Sequence, residues 1–150
     1  MLPRTLFLVA LVGSLSFWAG THWATPAAAP EDLASAILRR ADARLASGDW
    51  GKIQIYTPDD TPTFGTVSML TAELEFLPGQ QLQPPHQHAD EEFQYIIEGT
   101  GTWTLNGEEI PIQPGDLMYS KPWDWHGLKN TGEVPLRFFV VKWRSKEAGD

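Results

Sequence analysis

The chain of 150 residues has no cysteine. That excludes disulfides, thiolate metal ligands and a lipid-modified N-terminal cysteine. Cations are scarce: 11 Lys and Arg stand against 19 Asp and Glu, for a net charge of −8. With no basic cluster to offset this, nucleic acid and anionic membrane surfaces are disfavoured as partners. No internal repeat is visible. The one long apolar run, Leu6 to Ala19, falls short of the ~20 residues that span a bilayer comfortably. Histidine is rare as well, with four in the chain. What is there is ordinary globular composition, 42% hydrophobic and 20% charged, in a length for which one domain is the default.

Residues 1–29 read as an export signal. Arg4 supplies the positive start, Leu6 to Ala19 the apolar run, and Thr25-Pro26-Ala27-Ala28-Ala29 the small-residue segment. Pro30 blocks a cut after Ala29, so cleavage is expected near Ala24 or Ala27. The lone arginine argues against a twin-arginine signal. The expected localisation is therefore periplasmic or secreted, with an uncleaved membrane anchor as the alternative and a buried helix of the fold as a third reading.

Residues 30–49 are expected to form a helix and its stop. Leu33, Ile37, Leu38, Ala41 and Leu45 recur at helical spacing. Arg39, Arg40 and Arg44 fall on the opposite face, which reads as solvated, and Glu31 and Asp32 suit the N-terminal dipole. From Trp50 the pattern changes to period two. A first strand is marked by Ile53, Ile55 and Tyr56. Thr66 to Leu77 forms a long strand with Ala72, Leu74 and Phe76 on one face and Thr71, Glu73 and Glu75 on the other. Glu92 to Glu98, Gly101 to Leu105, Glu108 to Gln113, Leu117 to Ser120, His126 to Asn130 and Leu136 to Trp143 follow, with Asn106-Gly107 as the strongest hairpin signal. Eight or nine short strands at this spacing predict an all-β sandwich or barrel over residues 50–145.

The chemistry concentrates between Gly79 and Gly99. His86 and His88, two apart, share a face if they lie on a strand. Glu92 follows after a short turn, and His126 comes later in Trp125-His126-Gly127. Two or three neutral imidazoles with a carboxylate suit a divalent transition metal with nitrogen and oxygen ligands. His22 lies in the signal segment, so each histidine left in the mature protein is a candidate ligand. If Glu92 points inward, so do Gln94 and Ile96, while Glu91, Phe93 and Tyr95 point out. Gln94 is then a candidate neighbour of the site.

The run Gly79…His86-x-His88-x3-Glu92-x6-Gly99 resembles the first motif of the cupin superfamily. His126-x3-Asn130, with Pro114-Gly115-Asp116 before it, resembles the second. The likeness covers roughly Ile53 to Trp143. It departs in spacing: six residues, not the usual five, separate Gly79 from His86, and Asp124 stands where a glycine often precedes the histidine in a loop one residue shorter than usual. The resemblance implies a double-stranded β-helix (jelly-roll) and a metal held by His86, His88, Glu92 and His126. It also implies a homodimer as an option for assembly, and a role for Glu92 as a catalytic base, as in related dioxygenases. Lys121-Pro122-Trp123-Asp124-Trp125-His126 is similar to the Pro-x-Trp-x-Trp-His run of gentisate-type ring-cleaving cupin dioxygenases.

Four protein ligands leave two positions on a six-coordinate ion, which suits a substrate chelating through two oxygens. The expected cofactor is one divalent transition metal, with iron, manganese, nickel, copper and zinc all admitted. Trp123, Trp125, Gln94 and Tyr119 are the candidate substrate-binding residues. The barrel shows no obvious charged residue to favour a strongly anionic substrate. The expected activity is an exported, dioxygenase-like oxidoreductase on a small, oxygen-chelating, aromatic or enediol-like compound. The alternatives are a metal-dependent isomerase or lyase and a non-catalytic module that binds a metal or small ligand.

Overall fold

The longest strands, β3 (Thr66–Phe76) and β9 (Leu136–Ser145), run antiparallel along ten paired positions, from Thr66↔Ser145 to Phe76↔Leu136. Their alternation is the reason for the core. Ala72, Leu74 and Phe76 from β3 and Leu136, Phe138 and Val140 from β9 are all buried, while Glu73, Glu75, Arg137 and Phe139 between them turn away. Phe138 meets Phe76 edge-on, with ring centroids 5.0 Å apart.

The computed structural model describes residues 31–147. Within them lie nine strands, the others being β1 (Arg44–Gly48), β2 (Gly51–Thr57), β4 (Glu91–Glu98), β5 (Gly101–Leu105), β6 (Glu108–Ile112), β7 (Leu117–Ser120) and β8 (His126–Lys129). Six form one sheet in the order β1-β2-β3-β9-β4-β7, and three form a second in the order β6-β5-β8. Trp103, Ile112 and Leu128 from the smaller sheet close the core against Ile55, Ile96, Met118 and the β3–β9 pair. The fold is all-β, as the strand pattern predicts, and it is the jelly roll that the cupin resemblance implies. Asn106 and Gly107 carry the turn between β5 and β6 at φ of 50° and 89°.

The expected helix over residues 30–49 is not found. Among the described residues there is no helix: residues 31–43 run without regular structure and Arg44–Gly48 is a strand. The apolar stripe that suggested a helix has nothing to pack on, since Leu33, Ile37, Leu38 and Leu45 are all exposed. Edge pairing wins instead. Leu45 sits opposite Gln54 and Gly48 opposite Gly51, so β1 extends the sheet as a hairpin partner of β2. Gln54 fixes the turn before it by donating from its amide to the carbonyls of Arg40 and Ala43. The expected signal segment, residues 1–29, lies outside the described residues.

Candidate metal centre

Two loops hold the histidines, and they clasp each other. His86 and His126 exchange both backbone hydrogen bonds, each at 2.8 Å, as an isolated antiparallel bridge. Gly127 permits this approach: a Cβ there would stand 2.8 Å from Pro85 Cα. The Trp123 N–H donates to the His88 carbonyl at 2.8 Å, and it does so at φ of 66°. A bulky residue in that region is strained, and such strain is held only where surrounding contacts demand it. His86 and His88 therefore converge because two loops are pinned together. The strand assumed for them reduces to a single bridge residue, His86.

The three imidazoles each offer a nitrogen within 4.8 Å of the others, with ring centroids 4.8 to 5.4 Å apart. Their Nδ1 atoms point at backbone carbonyls: His88 to Asp90 at 3.1 Å, His126 to Asp124 at 2.8 Å and His86 to Pro84 at 3.3 Å. An Nδ1–H donated to a carbonyl leaves the Nε2 lone pair for a ligand role. Nε2 of His88 and of His126 is buried with no hydrogen-bond partner. Nε2 of His86 meets the side-chain amide of Gln83 at 2.7 Å. Burial, followed by the neighbouring His126 and His88, holds His86 below its ordinary pKa of 6.5 and so favours the neutral, ligating form.

Glu92 enters from β4. It is buried, with one oxygen 3.5 Å from His88 Nε2 and the other 3.8 Å from His126 Nε2. Both distances are too long for a direct hydrogen bond. They match the roughly 3–4 Å between two ligand atoms that each lie about 2.0–2.2 Å from a shared ion. Orphaned imidazole nitrogens beside a buried carboxylate are a donor set that a divalent cation satisfies. Gln94, two residues on, donates from its amide to Glu92 Oε1 at 2.6 Å and holds that carboxylate in place. The alternation read from the sequence is correct here, including Glu91, which turns outward to accept a hydrogen bond from Tyr119 at 2.6 Å.

This group forms part of the wall of a cavity of about 160 Å³ between the two sheets. The rest of the wall is mainly apolar: Ile53, Leu70, Leu74, Phe76, Leu128, Phe138 and Val140. Gln83 and Lys142 also line it and were not singled out in the sequence. Lys142 was legible, since it continues the inward alternation Phe138, Val140, Lys142. Its presence corrects the expectation of a barrel without charged residues. Gln83 carried no such signal, lying in a loop.

The aromatic candidates are placed elsewhere. Trp123, Trp125 and Tyr119 are exposed, and none is among the residues lining the cavity. Alternation explains two of them. His126 faces in, so Trp125 faces out, its backbone N–H bonded to the Asn106 side chain at 2.9 Å. Met118 and Ser120 are buried, so Tyr119 between them lies outside, 4.9 Å from Phe93 between ring centroids.

The family described as "Cupin domain" matches residues 72–142, the stretch from mid-β3 to Lys142. A gentisate 1,2-dioxygenase from a Streptomyces species is 29% identical over 80 residues, covering 53% of this chain and 21% of that protein. An oxalate-binding protein from Thermotoga maritima is 34% identical over 73 residues, covering 48% of this chain and 60% of that protein. The chain thus spans only part of the curated relatives that it matches. Among solved structures, a Thermotoga maritima protein described as a predicted oxalate decarboxylase superposes with a TM-score of 0.56 at 22% identity, over 73% of this chain and 99% of that one. A sugar phosphate isomerase from Silicibacter pomeroyi superposes with a TM-score of 0.60 at 19% identity, over 73% and 76%. Likeness at these identities speaks for the fold alone. Residues 72–142 thus match the cupin domain family, and the chain has the jelly-roll fold of the cupin structures on which it superposes.

Proposed function

We propose that this chain is an exported, metal-dependent oxidoreductase of the dioxygenase kind. In this reading His86, His88, Glu92 and His126 hold one divalent ion, and a small oxygen-chelating compound binds beside it in the barrel. The observation that carries the reading is the pair of buried, unpartnered Nε2 atoms of His88 and His126, set with His86 and Glu92 on the wall of the cavity. When bound, such an ion polarises a chelated substrate or exchanges electrons with dioxygen. Iron, manganese, nickel, copper and zinc all suit the donor set.

The chain's own residues do the rest. The carbonyls of Asp90 and Asp124 hold the His88 and His126 tautomers. Gln94 fixes one oxygen of Glu92. Among the described residues that line the cavity Glu92 is the only carboxylate, so it is the group that takes a proton from a substrate hydroxyl. The wall around it is mainly apolar, which lowers the local polarity and strengthens its electrostatic contacts. Similarity to a gentisate 1,2-dioxygenase and a 5-nitrosalicylic acid 1,2-dioxygenase supports oxidative chemistry on small oxygen-rich compounds.

A second reading, a non-catalytic small-ligand module, is favoured by the likeness to an oxalate-binding protein and by a cavity wall with no carboxylate besides Glu92 among the described residues. Oxygen uptake separates the two. Protein loaded in turn with each metal is presented with catechols, hydroxybenzoates and small keto-enols. Uptake in the wild type that disappears in Glu92→Ala is expected. No uptake with any metal and compound overturns the dioxygenase reading. Export rests on the sequence of residues 1–29, and the mature N-terminus is expected between Ala24 and Glu31 by mass spectrometry. An intact Met1 on soluble cytoplasmic protein contradicts it.

A further inference from the structure

Lys142 is the only Lys or Arg among the described residues that line the cavity. It stands on β9 with Glu92 opposite on β4 and Leu70 opposite on β3. Directly opposed residues on one sheet face have Cβ atoms about 4.5–5.5 Å apart. The lysine side chain thus starts next to the carboxylate of the metal site, and it is 17% exposed.

A largely buried ammonium needs a counterion. Two carboxylates are near, and neither is a settled partner. Asp90 lies at 3.8 Å, but its other oxygen is 3.0 Å from Arg144 Nε. Asp59 lies at 2.9 Å, yet it belongs to the loop between β2 and β3 and its side chain is 60% exposed. An ion pair with one solvated partner contributes little, so it exchanges readily. A carboxylate arriving inside an apolar cavity makes the stronger, desolvated contact.

We infer that Lys142 is the anion anchor of the cavity, with Asp59 its stand-in counterion until a ligand carboxylate replaces it. This rests on the proposed reading of the neighbouring metal site. It narrows the ligand to a small organic acid, with the carboxylate turned toward Lys142 and a further oxygen left for the ion. A lysine that served only to tie the β2–β3 loop to β9 would not discriminate between an acid and its neutral amide.

The test uses zinc-loaded mature protein, in which binding is measured by calorimetry without turnover. The probes are oxalate and salicylate, with oxamide and salicylamide as neutral counterparts. Lys142→Gln is expected to weaken binding of the acids about ten- to hundredfold and leave the amides unchanged. Lys142→Arg is expected to restore most of the preference. Asp59→Asn, at an exposed position, is expected to tighten acid binding severalfold by removing the competitor, and it keeps the test open if Lys142→Gln fails to fold. An unchanged acid-to-amide ratio in Lys142→Gln overturns the inference, as does wild type that binds none of the four probes. Unchanged acid affinity in Asp59→Asn overturns the role of Asp59. Acid binding here, with no oxygen uptake in protein loaded in turn with each of the redox-active metals, overturns the dioxygenase reading and leaves the anchor standing.

Discussion

On β4 and β9 the two faces of one sheet have different uses. Inward lie Glu92, Gln94 and Ile96 with Phe138, Val140 and Lys142, which form core and cavity wall. Outward, one residue away, lie Phe93 and Tyr95 with Phe139 and Trp143. Trp143 stacks on Phe93 at 5.6 Å between centroids, and Phe139 tilts against Tyr56 at 6.2 Å. The aromatic residues that most invite a substrate-binding role are on the outer face or the rim. Among the inward residues just named, the polar ones are Glu92, Gln94 and Lys142, and all three line the cavity. A polar side chain inside this barrel is costly unless it is satisfied, so those that are present point to chemistry more reliably than the tryptophans do.

The sharpest way to break that contrast is to truncate each face. Phe138→Ala, at a residue 2% exposed, is expected to cost about 3–5 kcal/mol in denaturant unfolding. Tyr95→Ala on the outer face is expected to cost under about 1 kcal/mol. Similar losses at both positions would mean that the outer face is covered in solution.

Next in size is the support for the carboxylate. Gln94→Leu removes the donor to Glu92 Oε1 and is expected to weaken metal affinity about ten- to hundredfold, as read by chelator competition. Folding should persist, since leucine fills the same inward position. Unchanged affinity would reduce Gln94 to an ordinary lining residue.

A smaller effect is expected from pH. His86 is held below 6.5 in the folded chain, so between that lowered value and 6.5 the unfolded chain binds a proton that the folded chain does not. Stability of the metal-free protein therefore declines as pH falls through 6.5, and this contribution levels off below the folded-state value. Melting temperatures of chelator-treated wild type and His86→Gln across pH 5–8 check it: the decline should be shallower in the variant.

The smallest effect is expected at the tryptophans. Trp125→Ala should leave metal content and the affinity for oxalate and salicylate within about twofold of wild type, because its ring does not line the cavity. A larger loss, measured by the same calorimetry, would bring the rim into the binding site.

The strands and their facings were legible because period two is a strong signal where one face is buried. Ala72-x-Leu74-x-Phe76 and Glu92-x-Gln94-x-Ile96 both fell as the alternation requires. The N-terminal stretch was not. A helical apolar spacing means little when no surface is left to receive it, and pairing of Arg44–Gly48 with β2 uses only backbone. Within the site, the histidines and Glu92 could be read from spacing. The clasp of His86 with His126 depends on two segments forty residues apart, and Gln83 beside His86 sits in a loop without period. Lys142 could have been found by carrying the β9 alternation two residues further.

The proposed chemistry requires that three imidazoles and Glu92 hold one divalent ion. Elemental analysis after loading and desalting tests it most directly, on wild type and on His126→Ala, with circular dichroism to show that the variant is folded. Close to one ion per chain is expected in wild type and almost none in His126→Ala. Metal near zero in loaded wild type, or equal in the two proteins, would contradict it.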